Sequence, residues 1–385
     1  MKKVGIFLDM FPSGGGAFQY SQLVIETCED LVRSGKIECV ILYTRIEWER
    51  YFFKKGDKCI YVKNFLIEDL VRRIFFKLKL PVAIWRKLSK YIFSYSREMN
   101  KQNCDLWIFP AQDRWGYESE VKFIGTIHDL MHRYEKFPEL IDNGQGRARD
   151  ILYSNICKYS SLVLVDSEMG KKHVLECYNV KGSKVKVQMF SVPDYILEEK
   201  FVDVKGKYSL PEKYLFYPAQ FWAHKNHKNL IDAILKVKQQ NKEICIVFSG
   251  SKEKEYYKIQ DYVFRHKLEE NVIFVGYIQD EEMASMYRVS CGLVMASFCG
   301  PTNIPPLESL YLKVPCAVAD VYAAREQLGD SVLYFDPSCV ESISVSIQRL
   351  WNSRELPSSA GEIRNKYSKA NFKESLSHIV LDCIV

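Results

Sequence analysis

The sequence predicts an α/β protein made of two consecutive units, each a parallel sheet covered by helices on both faces. Short β-rich apolar runs alternate with amphipathic helical stretches along most of the chain, which is typical of parallel strands buried on both sides. The length of 385 residues corresponds to about two domains. The composition, 47% apolar and 26% charged, excludes a disordered or fibrous chain.

The first unit begins with a strand at Val4–Leu8, a glycine-rich turn, and a helix from Ala17 to Arg33 with apolar residues at helical spacing. Further strands are predicted at Cys39–Tyr43, Leu106–Phe109, Phe123–Ile127, Leu162–Val165 and Val185–Gln188. This unit is expected to span residues 1–195.

The second unit follows Pro193–Leu210, a polar and charged segment that we interpret as a linker. Its strands are predicted at Tyr214–Tyr217, Ile244–Phe248, Val272–Val275, Gly292–Met295, Cys316–Ala319 and Val332–Tyr334. This unit is expected to span residues 205–366.

The net charge of +6 is concentrated in one segment, Phe65–Lys101. The segment has nine basic and three acidic residues, so it holds the entire excess, and Pro81 should divide it into two helices. One interpretation is an amphipathic surface that docks on an anionic membrane. The alternative is ordinary domain surface, with the apolar side packed on the sheet and the lysines in solvent. Nucleic-acid binding is not expected, since the apolar residues do not resemble stacking platforms.

Four aromatic residues separate these two interpretations. If Phe75, Phe76, Trp85 and Phe93 point outward, the segment faces a membrane. If they point inward, it is part of the domain core.

Cysteine usage and hydropathy favour a cytoplasmic protein. The twelve cysteines are scattered without a Cys-x-x-Cys pair, which is typical of small buried residues in a reducing compartment. No apolar stretch approaches the ~20 residues of a membrane span. The apolar run after Lys2 and Lys3 ends at Asp9, too short for a signal-peptide core. We expect a cytoplasmic location, peripheral to the inner membrane face if the basic segment docks there.

Two features of the first unit follow predicted strands. Gly14, Gly15 and Gly16 form a turn before a helix, where backbone N–H groups can approach an anion, although a turn without a ligand is equally compatible. His128 follows the strand at Phe123–Ile127, at the sheet edge where ligands bind, with Asp129 and Glu139 nearby. A lone histidine is more often structural, so this indication is weaker than the motifs of the second unit.

The second unit carries the more specific motifs. Lys225 lies at a strand-to-helix junction, where a lysine can hold a phosphate as a point charge, or simply be an exposed loop residue. Gly276 and Tyr277 end another strand. Asn303 and Ile304 precede two prolines that start a helix, and Glu308 lies about one turn inside it. Such a carboxylate suits the helix dipole, and it also suits accepting hydrogen bonds from sugar hydroxyls.

These runs, in this order, resemble glycosyltransferase family 4, nucleotide-sugar enzymes of the GT-B fold. The resemblance covers nearly the whole chain and is strongest from Tyr214 to Pro337. It implies that Glu308 binds the donor ribose and that Lys225 grips the diphosphate. Two positions depart from the family pattern: Gly300 stands where the first glutamate of the Glu-x7-Glu motif is usual, and Gln220 stands where an arginine is usual. We expect a divergent subgroup with altered donor contacts.

The resemblance also implies further site residues and an architecture. The remaining donor contacts are expected at Gly14, Gly15, Gly16, Gly276, Tyr277, Asn303 and Ile304, and His128 is expected to be catalytic together with Lys225 and Glu308. Two Rossmann-like domains are expected to face each other across a cleft, with residues 367–385 as a C-terminal helix that crosses back to the N-terminal, acceptor-binding domain.

The implied reaction is transfer of a hexose-type sugar, with retention of configuration, from a UDP- or GDP-sugar to a hydroxyl acceptor. The expected acceptor is a growing, lipid-linked bacterial surface glycan. No metal or other cofactor is expected, because no Asp-x-Asp run lies in a site loop. A GT-B epimerase or phosphorylase, or a non-catalytic nucleotide- or glycan-binding module, are the alternatives.

Overall fold

The computed structural model describes residues 1–12, 15–52, 58–63, 65–78, 80–198, 200–300, 302–357 and 359–385. The chain divides into two compact units. The first comprises Met1–Leu130, Arg147–Phe190 and Lys369–Val385, and the second comprises Met131–Gly146 and Ser191–Ser368. Neither unit is continuous in sequence. Residues 131–146, expected in the N-terminal domain, belong to the second unit. The polar segment interpreted as a linker also belongs to the second unit, in its described residues 193–198 and 200–210.

The first unit contains a parallel sheet in the order β3-β2-β1-β4-β5-β6-β7 within the described residues. The strands are β1 (Lys2–Leu8), β2 (Ile37–Tyr43), β3 (Lys58–Tyr61), β4 (Leu106–Phe109), β5 (Phe123–Thr126), β6 (Leu162–Val165) and β7 (Val185–Val187). The six predicted strands are confirmed, each within about two residues at its ends. The sequence analysis missed β3, whose side chains are only partly buried at this sheet edge, so it lacks a strong apolar run.

The second unit contains a parallel sheet in the order β10-β9-β8-β11-β12-β13 within the described residues. Its strands are β8 (Leu215–Pro218), β9 (Ile246–Ser249), β10 (Val272–Gly276), β11 (Gly292–Met295), β12 (Cys316–Ala319) and β13 (Leu333–Phe335). All six predicted strands of this unit are confirmed. The predicted α/β class, with two parallel sheets and interleaved helices, is therefore correct.

Helices connect the strands and cover both sheets. Up to the end of the first sheet they are α1 (Gly16–Arg33), α2 (Glu49–Phe52), α3 (Leu66–Lys77), α4 (Val82–Ile92), α5 (Ser94–Gln102), α6 (Trp115–Glu118), α7 (Met131–Tyr134), α8 (Pro138–Ile141), α9 (Gln145–Tyr159) and α10 (Glu168–Cys177). The remaining helices are α11 (Asp194–Leu197), α12 (Val204–Tyr208), α13 (His227–Lys238), α14 (Tyr256–Arg265), α15 (Asp280–Val289), α16 (Ile304–Tyr311), α17 (Ala324–Leu328), α18 (Val340–Asn352), α19 (Ala360–Lys366) and α20 (Lys369–Ile384). Single 3-10 turns occupy Ile46–Trp48, Asp142–Gly144, Gly182–Lys184 and Ala223–Lys225.

The last helix of the chain, α20, packs in the first unit. Its apolar residues Phe372, Leu376, Val380 and Ile384 are buried in the same core as residues of α1. Lys373 forms ion pairs with Glu26 at 3.1 Å and with Asp30 at 2.9 Å, both on α1. The apolar side of α20 therefore covers the sheet of the first unit, with its charged edge fixed to α1.

The basic segment Phe65–Lys101 folds into three helices, α3, α4 and α5, with Pro81 between the first two as expected. Phe75, Trp85 and Phe93 are buried in the core of the first unit, and their rings contact one another in sequence. The side chain of Phe76 lies outside the described residues. The interpretation that these aromatic residues face a membrane is therefore wrong for Phe75, Trp85 and Phe93, because they fill the space between the helices and the sheet.

No helix among the described residues is long and apolar enough to cross a bilayer.

Candidate functional site

Both sheets have a point where the strand order reverses, and there the helices that follow neighbouring strands leave toward opposite faces. In the second unit this point lies between β8 and β11, and in the first unit it lies between β1 and β4. Open parallel sheets bind ligands at the carboxyl ends of the strands beside such a point. The motifs of the second unit, Lys225 after β8 and the loop before α16 after β11, therefore meet at one edge of its sheet.

Lys225 is held in place through its backbone. The Tyr217 hydroxyl donates to the Lys225 carbonyl at 2.6 Å, and the Lys225 N–H donates to the Trp222 carbonyl at 3.0 Å. The following residue, Asn226, is buried, and its side-chain amide donates to the carbonyls of Ala296 and Pro337. These bonds tie the junction between β8 and α13 to the loops that follow β11 and β13.

The loops after β8, β9 and β10 are joined by backbone hydrogen bonds. The Gly250 N–H donates to the Gly276 carbonyl at 2.9 Å, and the Ala219 N–H donates to the Ser249 carbonyl at 2.8 Å. Gly250 has a φ of 145°, and a Cβ there would lie 2.3 Å from the Ala219 carbonyl oxygen, so this position requires glycine. Gly276, with φ 73° and open space around it, ends β10, and Tyr277 beside it is exposed.

The start of α16 offers fewer donors to an anion than the sequence analysis expected. The Asn303 N–H donates to the Gln327 side chain at 3.0 Å, and Gln327 in turn donates to the Asn303 carbonyl at 2.9 Å. Pro305 and Pro306 have no N–H. Among the first three residues of α16, Ile304 alone therefore has a backbone donor, and the predicted contact at Asn303 requires replacement of the Gln327 bond.

Glu308 is almost fully buried, and tyrosine hydroxyls occupy both of its oxygens. Tyr195 of α11 donates to Oε1 at 2.5 Å, and Tyr287 of α15 donates to Oε2 at 2.6 Å. Burial raises the pKa of Glu308, and the two hydrogen bonds oppose this shift. A carboxylate accepts about four hydrogen bonds, so each oxygen retains capacity for one more donor. Sequence reasoning missed both tyrosines.

A second acidic contact lies on the segment 131–146. Glu139 Oε1 accepts hydrogen bonds from the His224 N–H at 3.0 Å and from His224 Nδ1 at 2.5 Å. Partial burial acts to raise the pKa of Glu139, but the His224 bonds outweigh it and keep that pKa below its ordinary value. Phe137 stacks on Phe298 at 5.6 Å between ring centroids, next to this pair. The segment thus places an ionised carboxylate against the residue that precedes Lys225.

The site residues of the first unit lie after β1, β4 and β5. Gly15 precedes α1 in the left-handed region, with φ 62° and no atom of the described residues within 4 Å of the Cβ position, and Gly16 begins the helix. Gly14 lies outside the described residues. The start of α1 has no acidic residue in its first turn, which suits an anion.

His128 follows β5 and is partly buried. Its ring packs on Phe190 at 5.6 Å and against the edge of Tyr20 at 5.0 Å. Nε2 lies 3.1 Å from the Pro110 carbonyl, which only accepts, so Nε2 carries the proton and Nδ1 is the acceptor of the neutral ring. Burial lowers the pKa of His128 to about 4, despite the opposing charge of Asp129. The imidazole is therefore neutral at physiological pH.

Residues that follow β4 support His128. With its amide oxygen turned toward β5, Gln112 accepts the N–H of His128 at 2.8 Å and that of Asp129 at 3.3 Å. Asp113 has a buried Oδ2 without a hydrogen-bond partner among the residues that the structure describes, and burial, with the charge of Asp9, raises the pKa of Asp113 well above its ordinary value. Sequence reasoning missed both residues. The reversal point of the strand order, read from the topology, identifies them.

Among the described residues, no group of three or more His, Cys, Asp or Glu side chains is arranged to hold a metal ion.

Comparison with known proteins connects this geometry to a family. Residues 200–370 match the family model of glycosyl transferases group 1, and these residues include Lys225 and Glu308. This part of the chain is therefore a group 1 glycosyltransferase domain. The resemblance to glycosyltransferase family 4 is thereby confirmed.

Curated relatives to which the chain is similar include two mannosyltransferases from Escherichia coli. O-antigen chain mannosyltransferase B is 25% identical over 193 residues, which cover 49% of this chain and 51% of the relative. The serotype-specific mannosyltransferase WbdA is 22% identical over 265 residues, which cover 65% of this chain and 32% of the relative. The matched region thus spans about half of one relative and about a third of the other.

Solved structures show the fold. A glycosyltransferase from Rickettsia africae superposes with a TM-score of 0.73 at 15% identity, covering 100% of this chain and 98% of that one. Anabaena HepE, solved with UDP and glucose, has a TM-score of 0.70 at 14% identity, covering 98% of each chain. The GT-B fold expected from the sequence is confirmed.

One of the two departures from the family pattern has a structural reason. Gly300 has a φ of 115°, in the region that favours glycine, and a Cβ there would lie 3.3 Å from Asn303 Oδ1. A glutamate at this position would be strained. The other departure, Gln220, is exposed and accepts a hydrogen bond from the Trp222 ring at 3.0 Å.

Proposed function

We propose that the protein transfers a hexosyl group from a nucleoside-diphosphate sugar to a hydroxyl acceptor, with retention of configuration. The match of residues 200–370 to the group 1 glycosyltransferases is the observation that carries this proposal. The arrangement of Lys225 and α16 at the strand-order reversal of the same unit supports it, because that edge suits a nucleotide.

The second unit holds the donor in this proposal. The Lys225 ammonium and the Ile304 N–H stabilise the charge that develops on the diphosphate as the sugar leaves, the step in which preorganised donors contribute most. Glu308 accepts hydrogen bonds from the ribose hydroxyls through the capacity that Tyr195 and Tyr287 leave open. Gly276 has no atom of the described part of the chain within 4 Å of its Cβ position, which leaves room for the nucleotide beside β10.

In this proposal the first unit supplies backbone donors for phosphate and a side chain that orients a hydroxyl group. Gly15 and Gly16 at the start of α1 add backbone donors for phosphate. Because His128 is neutral with its proton on Nε2, its Nδ1 accepts a hydrogen bond from a sugar or acceptor hydroxyl and orients it. No metal or other cofactor is part of this proposal.

The acceptor proposed is a growing surface glycan on a lipid carrier, and the sugar is a hexose. The relatives named as an O-antigen chain mannosyltransferase and a serotype-specific mannosyltransferase support both parts. HepE, solved with UDP and glucose, supports a nucleotide-sugar donor without deciding between UDP and GDP here.

The test begins with thermal unfolding in the presence of UDP, GDP and ADP. A ligand at 100 times its Kd stabilises the folded state by about 2.7 kcal/mol, which identifies the base. The matching nucleotide hexoses are then incubated with the protein and a polyprenyl-linked glycan, and the products are analysed by mass spectrometry.

A hexose added to the glycan, with release of nucleoside diphosphate, is the expected product, and NMR of the new linkage reports its configuration. Free sugar, an epimerised donor or a sugar phosphate would indicate an epimerase or phosphorylase instead. Nucleotide binding without consumption of any donor would indicate a binding module.

A further inference from the structure

Helices α3 and α4 have a second apolar face that the core of the first unit does not use. The buried side of the pair contains Phe75 and Trp85. Other large apolar residues on the same helices and the turn between them are exposed to solvent. On α3 and the turn these are Ile67, Leu70, Ile74, Leu78 and Leu80. On α4 they are Ile84, Leu88, Tyr91 and Ile92.

The spacing of these residues makes an aligned stripe on each helix. Ile67, Leu70 and Ile74 are three and four residues apart, and so are Ile84, Leu88 and Tyr91, which places each set on one helix face. The exposed fraction reaches 70% at Ile67, 64% at Leu78 and 71% at Tyr91. Single exposed apolar residues are ordinary, but stripes on two successive helices mark an interaction surface.

Unpaired cations border both stripes. Among the basic residues of the segment that the structure describes, Arg73, Lys77 and Lys87 are exposed and have no acidic partner. At about 100° per residue, Lys77 lies next to Leu70 on the surface of α3, and Lys87 lies beside Tyr91 on α4. The stripe and the free charges therefore share one side of each helix.

Other basic residues of the segment have structural partners. Arg86 donates to the Gly116 and Tyr117 carbonyls at 3.2 and 2.8 Å, and Arg72 lies 3.6 Å from Asp69. Lys90 pairs with Glu120 at 3.4 Å. The charge available to a partner is thus smaller than the sequence count indicates. On α3 and α4 it lies at the edge of the apolar stripes, and on α5 Arg97 is also exposed.

We propose that the outer faces of α3 and α4 form a docking surface for an anionic lipid bilayer. The aliphatic side chains enter the boundary between headgroups and acyl chains, and Arg73, Lys77 and Lys87 contact the headgroup phosphates. Charge complementarity favours a bilayer as the partner. The apolar face matches the acyl chains, and the unpaired cations that border it match the negative headgroups. The docking itself is independent of catalysis. Its use, to present a lipid-linked acceptor, rests on the proposed function.

The experiment is co-sedimentation of the full chain with vesicles, without nucleotide sugar or acceptor. Vesicles of phosphatidylglycerol and phosphatidylcholine in equal parts should bind the protein, and phosphatidylcholine alone should not. Binding should weaken with added salt, because surface charges are screened over about 10 Å at 0.1 M salt. Failure of glycosyl transfer would leave this binding intact, so the two proposals fail separately.

Two triple variants test the two parts of the surface. R73Q/K77Q/K87Q should lower the partition coefficient about 150-fold, because each basic residue near an anionic surface contributes about 1 kcal/mol. I74Q/I84Q/L88Q should abolish binding at every salt concentration at which the wild type binds. Exposed residues elsewhere in the same unit provide matched controls, K36Q/K181Q/K186Q for charge and V32Q/I151Q/L175Q for apolar surface.

Three results would overturn the proposal. The wild type stays in the supernatant with anionic vesicles at low salt. The control variants lose as much binding as the test variants. The third result is a wild-type dimer in sedimentation velocity that the substitutions I74Q/I84Q/L88Q dissociate, together with no binding of the wild type to vesicles. That result would assign the surface to a second copy of the chain.

Discussion

Replacement of Glu308 by glutamine separates a ligand-binding role from a structural one. If Glu308 accepts hydrogen bonds from the ribose, Glu308→Gln loses charge-assisted bonds worth about 1.5–3 kcal/mol each. For the loss of one such bond, nucleotide affinity should fall about 10- to 150-fold.

The stability of the unliganded Glu308→Gln protein should change much less. The raised pKa means that the fold holds the ionised carboxylate at a cost, which a neutral amide removes. Against this, the amide leaves one tyrosine hydroxyl without its acceptor. Because the two effects oppose each other, we expect the melting temperature to stay within about 4 °C of wild type.

Tyr287→Phe provides the contrast. It removes a donor from a buried, charged oxygen, at a cost of about 1–3 kcal/mol, and a unit of this size loses roughly 2–4 °C for each kcal/mol. Tyr214→Phe is the matched control, since the Tyr214 hydroxyl donates at 3.0 Å to the Met286 carbonyl in the same unit and does not touch Glu308. It should lower the melting temperature without changing nucleotide affinity.

The measurements are isothermal titration with the nucleotide identified by the thermal screen, and thermal unfolding without ligand. Unchanged affinity of Glu308→Gln, together with a melting temperature lowered as much as in Tyr287→Phe, would show that Glu308 only anchors α16 to α11 and α15.

Four further outcomes are expected. Lys225→Ala should remove about 2–4 kcal/mol of transition-state stabilisation, which is measured as a fall in kcat/KM. Near-wild-type kinetics would show that Lys225 is not part of the site. Because the pKa of His128 is lowered to about 4, its protonation should not affect the pH profile between about pH 5 and pH 8; an acidic limb near pH 6.5 that His128→Ala abolishes would contradict the assignment of a neutral ring. Glu139→Gln should reduce turnover but change the melting temperature little, since the amide oxygen of the glutamine still accepts the His224 N–H. Full activity of this variant would show that Glu139 has only a packing role. Burial, opposed by Arg114 and Arg72, raises the pKa of Glu118 to about 7, so between the unfolded pKa and pH 7 the folded state binds an extra proton and loses stability as the pH rises. Glu118→Gln should flatten this part of the curve of unfolding free energy against pH. An unchanged slope would reject the shift of the Glu118 pKa.

The sheets were predictable because strands buried on both faces need continuous apolar runs, and these runs are local in sequence. Strand β3 lacks one, since its residues are partly exposed at the sheet edge. The second apolar face of α3 and α4 could not be assigned either. Phe75 and Ile74 are adjacent and equally apolar, and only the packing of Phe75 against Trp85 decides which one is buried.

The candidate site was predictable where one chain segment carries the chemistry. Lys225 and Glu308 lie in strand-to-helix loops of recognisable form. Their partners are not local: Tyr195 comes from 113 positions before Glu308, and Glu139 from 85 positions before His224. No periodicity or motif links residues at such separations, so the hydrogen bonds that fix the charge state of the site emerge only when the sheet order brings the loops together.

The absence of a carboxylate at position 300 illustrates how backbone and chemistry constrain each other. A left-handed φ costs a residue with a Cβ about 1–2 kcal/mol, and the Asn303 side chain lies within contact of any Cβ there. The loop conformation that keeps Gly300 therefore excludes the usual glutamate, and a reversion at this one position would strain the loop rather than restore a donor contact. An ionised carboxylate is nevertheless present in the same unit, because Glu139 reaches His224, and the His224 carbonyl accepts the Phe298 N–H at 2.8 Å, two residues before Gly300. The negative charge that this loop lacks in sequence is thus supplied near it in space, by the segment 131–146 that follows His128 in the chain.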